Sequence, residues 1–328
     1  MSVIVSDNIR KALIEDVPVV ALETSVITNG LPRCEWDESF GQIPKGFTKD
    51  HPINESVATA MTNSIEAQGA VPAWIGVMDG NFHIGMPQES ICVLAEDDHA
   101  AKASLSNLAS LLVTKQPAGT TVAATLLGCT LANPEKPIRV FATGGIGGFH
   151  NKWSTSLDVS ADLKALATTP TCVVSSGAKS ILDLSSTVES LETLGIPLLG
   201  LRCNRIPRFI EQHDQDDPLV QEVQSEEEIS TICQTHWGSL QMRSAVLATA
   251  PVSQELGIPR NSLRKHIEDA ESAWHTMKQP PATRTPFILN YLVVQTQGLS
   301  LRANIALLIQ NASVAAKVAC ALSTPLDS

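Results

Sequence analysis

The sequence predicts a three-layer α/β/α protein with a largely parallel, mixed central sheet. Short apolar runs bounded by turn residues have the length and composition of buried strands: VPVVAL at 17–22, AWIGVM at 73–78, TCVV at 171–174 and IPLLGL at 196–201. Between them lie segments with helical apolar spacing, and alternation of this kind makes a sheet covered on both faces. No repeat or compositional break divides the chain, so residues 1–328 read as a single domain.

In chain order, 8–15 reads as a short helix and 17–22 as a strand closing on Glu23. The turn residues Asn29, Gly30 and Pro32 lead into 33–51, a polar loop insertion that is either a lid or a mobile surface loop. Residues 54–68 carry Val57, Met61 and Ile65 at helical spacing and stop at Gly69, a C-terminal glycine. Strand 73–78 turns at Asp79-Gly80-Asn81 into 82–85, a hairpin signal. Helices are expected at 101–112, 120–132, 158–167, 186–194, 225–233, 259–277, 286–298 and 301–322, with another starting at 180–184. Further strands are expected at 138–142 and 245–250. In such folds ligands bind beyond the carboxyl ends of strands, where Glu23, the glycine run 144–148 and Gly177-Ala178-Lys179 all fall.

A net charge of −11 argues against a nucleic-acid polymer as partner, though not against a small phosphorylated molecule held by local donors. Only 17% of residues are charged, which fits either an exterior partly covered in an oligomer or a large monomer with few surface charges. The seven cysteines are scattered, odd in number and without a Cys-x-x-Cys, the usage of thiols in a reducing compartment. The N-terminus has no signal-type core, and no run approaches the roughly 18 uninterrupted apolar residues of a membrane span. A cytoplasmic protein is expected.

Four features could carry chemistry. Thr143-Gly144-Gly145-Ile146-Gly147-Gly148 is either a tight turn or an anion cradle of convergent N–H groups. Lys179 is a surface lysine, a phosphate contact or a nucleophile. In the last case a helix start just beyond it would favour the neutral amine that forms a Schiff base. Asp158 and Asp162 share a helical face if the helix begins at Asp158. They then serve as cap, as sugar contacts or as ligands of a hard metal ion. Glu23, in an apolar stretch, is a paired structural group or a general acid. No zinc-protease histidine pair or Gly-x-Ser-x-Gly elbow occurs.

Together VALETSVITNGLP, GTTVAAT, FATGGIGGFH, LDVSADL, SSGAKSILDL, the TPF at 285–287 and SLRANIALLIQNA resemble the pseudouridine-5′-phosphate glycosidases, also called pseudouridylate synthases. The resemblance spans nearly the whole chain and implies reversible cleavage of a carbon–carbon glycosidic bond, giving uracil and ribose 5-phosphate. It implies Lys179 as nucleophile, Glu23 as proton donor, and Asp158 as the residue holding a divalent ion, Mn²⁺ or Mg²⁺, largely through water. It further implies substrate contacts at Lys102, Val122, Ser160, Ala161, Asp162 and Asn304, and a homotrimer. Three places depart from the family pattern: Thr24-Ser25 is swapped in order, Asn29 stands for a histidine, and Ala250 for an asparagine. The link after Pro32, 33–51, is also longer than the family's, and with the departures at Asn29 and Ala250 it raises synthesis of a C-glycoside on another aromatic acceptor as an alternative. A non-catalytic sugar-phosphate binding protein is a separate one.

Overall fold

Strands β1 (Val3–Val5), β2 (Val19–Glu23), β3 (Val71–Met78), β4 (Asn81–Ile84), β5 (Ala101–Ala103), β6 (Ala118–Thr120), β7 (Val140–Ala142), β8 (Cys172–Ser175), β9 (Leu198–Leu201), β10 (Gln221–Val223) and β11 (Val246–Thr249) form one mixed sheet. This computed structural model describes residues 2–49, 51–151, 153–277 and 284–323. The strand order is β1-β4-β3-β2-β7-β8-β11-β9-β10, with β6 against β3 and β5 against β6. Only β3–β4 and β3–β6 pair antiparallel. The β3–β4 turn places Asp79 and Gly80 at positive φ, 52° and 74°, the geometry that matches the right-handed twist of a hairpin.

Around the sheet lie α1 (Asp7–Ile14), α2 (Ser25–Asn29), α3 (Ile53–Glu66), α4 (Gln88–Glu96), α5 (Leu108–Thr114), α6 (Val122–Ala132), α7 (Trp153–Ser156), α8 (Ala161–Thr168), α9 (Leu184–Thr193), α10 (Glu226–Gln234), α11 (Arg260–Met277), α12 (Arg284–Gln295) and α13 (Leu299–Ser323). The expected three layers are present, and β2, β7 and β8, buried on both faces, carry no polar alternation. Helix α13, at mean hydropathy 1.7, is long and apolar enough to cross a membrane by composition alone. Here it lies in the core against α3, α10, β2, β7 and β8, its alanines allowing close approach. Its buried Asn311 donates Nδ2 to the Thr143 carbonyl at 2.8 Å and to Ser176 Oγ at 3.2 Å. One amide thus ties the loops that follow β7 and β8 to the same helix.

Several element boundaries differ from those expected. The helix expected at 101–112 is instead β5, a Ser104–Asn107 turn and α5. Ala101–Ala103 pairs with β6, and Asn107 Oδ1 accepts the Ser104 N–H at 2.8 Å, closing the turn. Lys102 therefore stands on a strand. The helix expected from 158 begins at Ala161, because Ser160 Oγ accepts the Asp162 N–H and caps it. The helix expected from 180 begins at Leu184, capped by Asp183 on Ser186 N–H at 3.0 Å. The 33–51 insertion packs its aromatic residues together, with Trp36 5.7 Å from Phe40 and 5.3 Å from Phe47 between ring centroids. Phe47 is buried. The insertion rests against α13.

Removing the Asn311 amide leaves a buried carbonyl unmet. Asn311→Ala is expected to lower stability by about 1–3 kcal/mol, read as a fall in urea midpoint at unchanged m-value.

Candidate active site

The carboxyl ends of β2, β7 and β8 deliver three groups to one cleft. Strands β2, β7 and β8 pair in parallel, Ala21 beside Phe141 and Phe141 beside Val173, so their ends are level. Glu23 closes β2 in a buried position. Its Oε2 accepts Ser25 Oγ at 2.7 Å, and its Oε1 accepts a short hydrogen bond from Thr143 Oγ1 just past β7. Thr24 turns the other way and donates to the Ile75 carbonyl at 2.6 Å, beside Thr120 doing the same. The swapped Thr24-Ser25 pair thus keeps one hydroxyl on the glutamate and puts the other in the scaffold.

Lys179 follows β8 through Gly177, whose φ is +73° and whose Cβ would sit 1.9 Å from the Pro207 carbonyl oxygen. Only glycine fits that approach. The backbone is then laddered onto the glycine run: Ile146 N–H donates to Gly177 O at 3.0 Å, and Lys179 N–H to Ile146 O at 3.1 Å. Since α9 begins at Leu184, Lys179 does not sit at a helix start, and its charge acts on a second lysine in the cleft. That residue, Lys102, projects from β5. Burial, and then the charge of Lys179, hold its amine below the ordinary lysine value, while Asp162 and Glu23 pull it back up.

The glycine run is a shaping element. Gly147 donates its N–H to Asp162 Oδ2 at 2.9 Å, and a Cβ there would meet Ser160 Oγ at 2.3 Å. The other Asp162 oxygen accepts Ala123 N–H at 3.0 Å at the start of α6. Asp162 is thus a buried backbone clamp whose residue also lines the cleft.

The cleft has two lobes that share Glu23, Ser25, Lys102, Lys179 and Thr285. One is flanked by Val26, Asn29, Gly144, Gly145, Phe209, Pro286, Leu289, Asn304 and Leu308. The other, of about 250 Å³, is polar: Ser104, Ser106, Asn107, Thr121, Gly147, His150, Ser160 and Asp162 line it. Thr121 Oγ1 and His150 Nδ1 are buried there without a hydrogen-bond partner among the described residues. Burial lowers the His150 pKa, with Asp158 opposing and Arg284 assisting.

Of the residues expected from sequence, Glu23, Lys102, Ser160, Asp162, Lys179 and Asn304 line this cleft. Val122 and Ala161 stand beside the lining residues Thr121 and Ser160 without lining it themselves. Asp158 lies apart, half-buried in the loop before α8, and its Oδ2 receives Arg284 Nη1 at 2.6 Å. Arg284 also grips Glu271, with Nη2 2.7 Å from Oε1. An ion held by a lone carboxylate and water needs that carboxylate free of a competing cation, so these residues do not fit the implied Mn²⁺ or Mg²⁺. Among the described residues no group of three or more His, Cys, Asp or Glu side chains is arranged to hold a metal ion. Ser104, Ser106 and Asn107 were hidden by the helical reading of 101–112. His150 and Thr285 lay inside motifs already singled out, FATGGIGGFH and TPF. Among the described residues of 33–51, none lines either lobe.

A sequence model of the indigoidine synthase A-like proteins matches residues 8–321. The chain belongs to that family. Relatives include the pseudouridine-5′-phosphate glycosidases of Jannaschia sp. (strain CCS1), 37% identical over 97% of this chain and 98% of that one, and of Glaesserella parasuis serovar 5, 34% identical over 96% and 97%. In structure it is similar to a prealnumycin C-glycosynthase solved in complex with ribulose 5-phosphate (TM-score 0.82, 29% identity, 98% and 97% covered). It is also similar to an indigoidine synthase A-like protein of Thermotoga maritima (TM-score 0.79, 30% identity, 94% of each chain). The family resemblance read from the motifs therefore stands.

Lys102 weakens the fold while it carries charge. Its folded pKa is below the ordinary 10.5, so between the two values the unfolded chain binds the extra proton, and stability rises with pH across that window. Lys102→Met should therefore be more stable than the parent at neutral pH. The advantage should shrink as pH climbs toward 10.5, as urea titrations at several pH values would record.

Proposed function

We propose that the protein is a pseudouridine-5′-phosphate glycosidase, cleaving pseudouridine 5′-phosphate reversibly to uracil and ribose 5-phosphate. The observation that carries this is the convergence of Glu23, Lys102 and Lys179 on one two-lobed cleft in a chain of this family. The polar lobe suits the ribose phosphate, with Lys102, Ser104, Ser106, Asn107 and His150 as donors. The lobe with Phe209, Leu289 and Leu308 suits the flat base, with Asn29 and Asn304 as its polar groups.

An ordinary glycosidase protonates a leaving oxygen, but here the base leaves through carbon, so an electron sink is needed at the sugar. On this reading the Lys179 amine adds to C1′ as the ring C1′–O4′ bond breaks, and Glu23 relays an amine proton to O4′. The C1′–C5 bond then breaks. Its electron pair goes to uracil C5, which takes the second nitrogen proton through Glu23, while the nitrogen lone pair closes the C1′ imine. Water hydrolyses the imine to ribose 5-phosphate and restores the amine. Ser25 and Thr143, each bonded to one carboxyl oxygen, aim Glu23 for both transfers. No divalent ion enters a step, since Asp158 is paired with Arg284.

The same site run in synthesis on another aromatic carbon acid is the second reading. Asn29 in the base lobe and the likeness to a C-glycosynthase favour it. A non-catalytic sugar-phosphate binder has no need of Glu23 and Lys179 in one cleft. The reading extends to a cytosolic homotrimer, supported by a charged content of only 17% and by seven free cysteines.

Incubation with pseudouridine 5′-phosphate should release uracil. Borohydride with ribose 5-phosphate should add one pentose-phosphate mass at Lys179, located by peptide mass spectrometry. Lys179→Ala should lose turnover by about 10³-fold or more. An unlabelled Lys179 in an active enzyme would remove the covalent step. Turnover with another acceptor but none with uracil would select the second reading.

A further inference from the structure

The cation beside Asp158 belongs to the protein itself. Arg284 opens α12 with a side chain only 10% exposed. All three of its guanidinium nitrogens are engaged: Nη1 meets Asp158 Oδ2 at 2.6 Å, while Nε lies 2.9 and 3.1 Å from the two Glu271 oxygens and Nη2 lies 2.7 Å from one. The guanidinium carbon stands 5.7 Å from the centre of the Trp274 ring. Glu271 and Trp274 both come from α11, so one helix fixes the arginine and the arginine fixes Asp158. Asp158 in turn accepts the His150 N–H at 3.1 Å through its carbonyl, and His150 lines the polar lobe. A rigid fork with two carboxylates leaves little for a hydrated dication, whose charge the guanidinium would also repel.

We infer that in this chain Arg284 takes the place that the family resemblance gives to a divalent ion, so that the polar lobe is shaped and the reaction runs without added metal. Arg284 is a positioning residue: it holds Asp158, whose carbonyl in turn holds the His150 N–H beside the polar lobe. The activity arm of the test rests on the glycosidase reading, while the metal-binding arm does not.

The decisive measurement is Mn²⁺ titration of chelator-dialysed protein, followed by electron paramagnetic resonance of the free ion, beside turnover with and without Mn²⁺. The parent should show no saturable Mn²⁺ binding, and added ion should change turnover by less than about two-fold, where an ion-dependent reaction loses orders of magnitude. Arg284→Ala, which takes the guanidinium away from Asp158, should gain saturable Mn²⁺ binding and show a raised KM that the ion partly restores. Arg284→Lys should remain indifferent to the ion. Stoichiometric Mn²⁺ binding by the parent, or turnover abolished by chelation and restored by Mn²⁺, overturns the inference. If Arg284→Ala fails to fold by circular dichroism, the parent titration decides alone. If pseudouridine 5′-phosphate is not turned over under any condition, the glycosidase reading fails while the Mn²⁺ titration still decides this one.

Discussion

One oxygen of the buried Asp162 carboxylate takes the N–H of Ala123, and the other takes that of Gly147. Two helix starts and the glycine run are thereby held at hydrogen-bond distance from a single side chain. The consequences spread from Gly147. The preceding Ile146 pairs with Gly177 and Lys179, so the backbone of the amine is set by the loop that Asp162 grips. Thr143, at the other end of that loop, holds Glu23. The proton carrier and the nucleophile of the proposed reaction are thus fixed against one another through the glycine run and the Thr143 hydroxyl.

The cleft concentrates charge that a stable core would avoid. Lys102 and Lys179 repel each other, and Glu23 and Asp162 offset part of that cost. Asp162 is already spent on two N–H groups and Glu23 on two hydroxyls, so neither carboxylate forms a tight ion pair that would lock a lysine. The amines stay available for an anionic, carbonyl-bearing ligand. On the far side the arrangement is reversed: Arg284, Glu271 and Asp158 satisfy one another closely. One half of the site is strained toward a ligand, and the other is a closed scaffold.

Much of this was legible from local pattern. Buried parallel strands show as apolar runs, the Asp79-Gly80 hairpin shows as its turn dipeptide, and α3, α6, α11 and α13 show as periodic or apolar stretches. The errors fell where a local hydrogen bond moved a boundary that periodicity cannot locate. Asn107 closed a turn inside a supposed helix, Ser160 delayed α8 past Asp158, and Asp183 delayed α9 past Lys179. The last two mattered chemically. They took Asp158 off the helical face it was to share with Asp162, and they removed the helix-start potential invoked for Lys179.

The residues alone determined the alternation of strand and helix, the family, and the presence of Glu23, Lys102 and Lys179, because these follow from short-range pattern and motif order. Tertiary structure decided which groups meet. Arg284 and Asp158 are 126 positions apart, Thr143 and Glu23 are 120 apart, and no local rule pairs them. Contacts across such separations exist only once level parallel strands and packed helices have brought distant loops to one edge of the sheet. For that reason the partner of Asp158, and with it the cation at this site, could be read only from the fold.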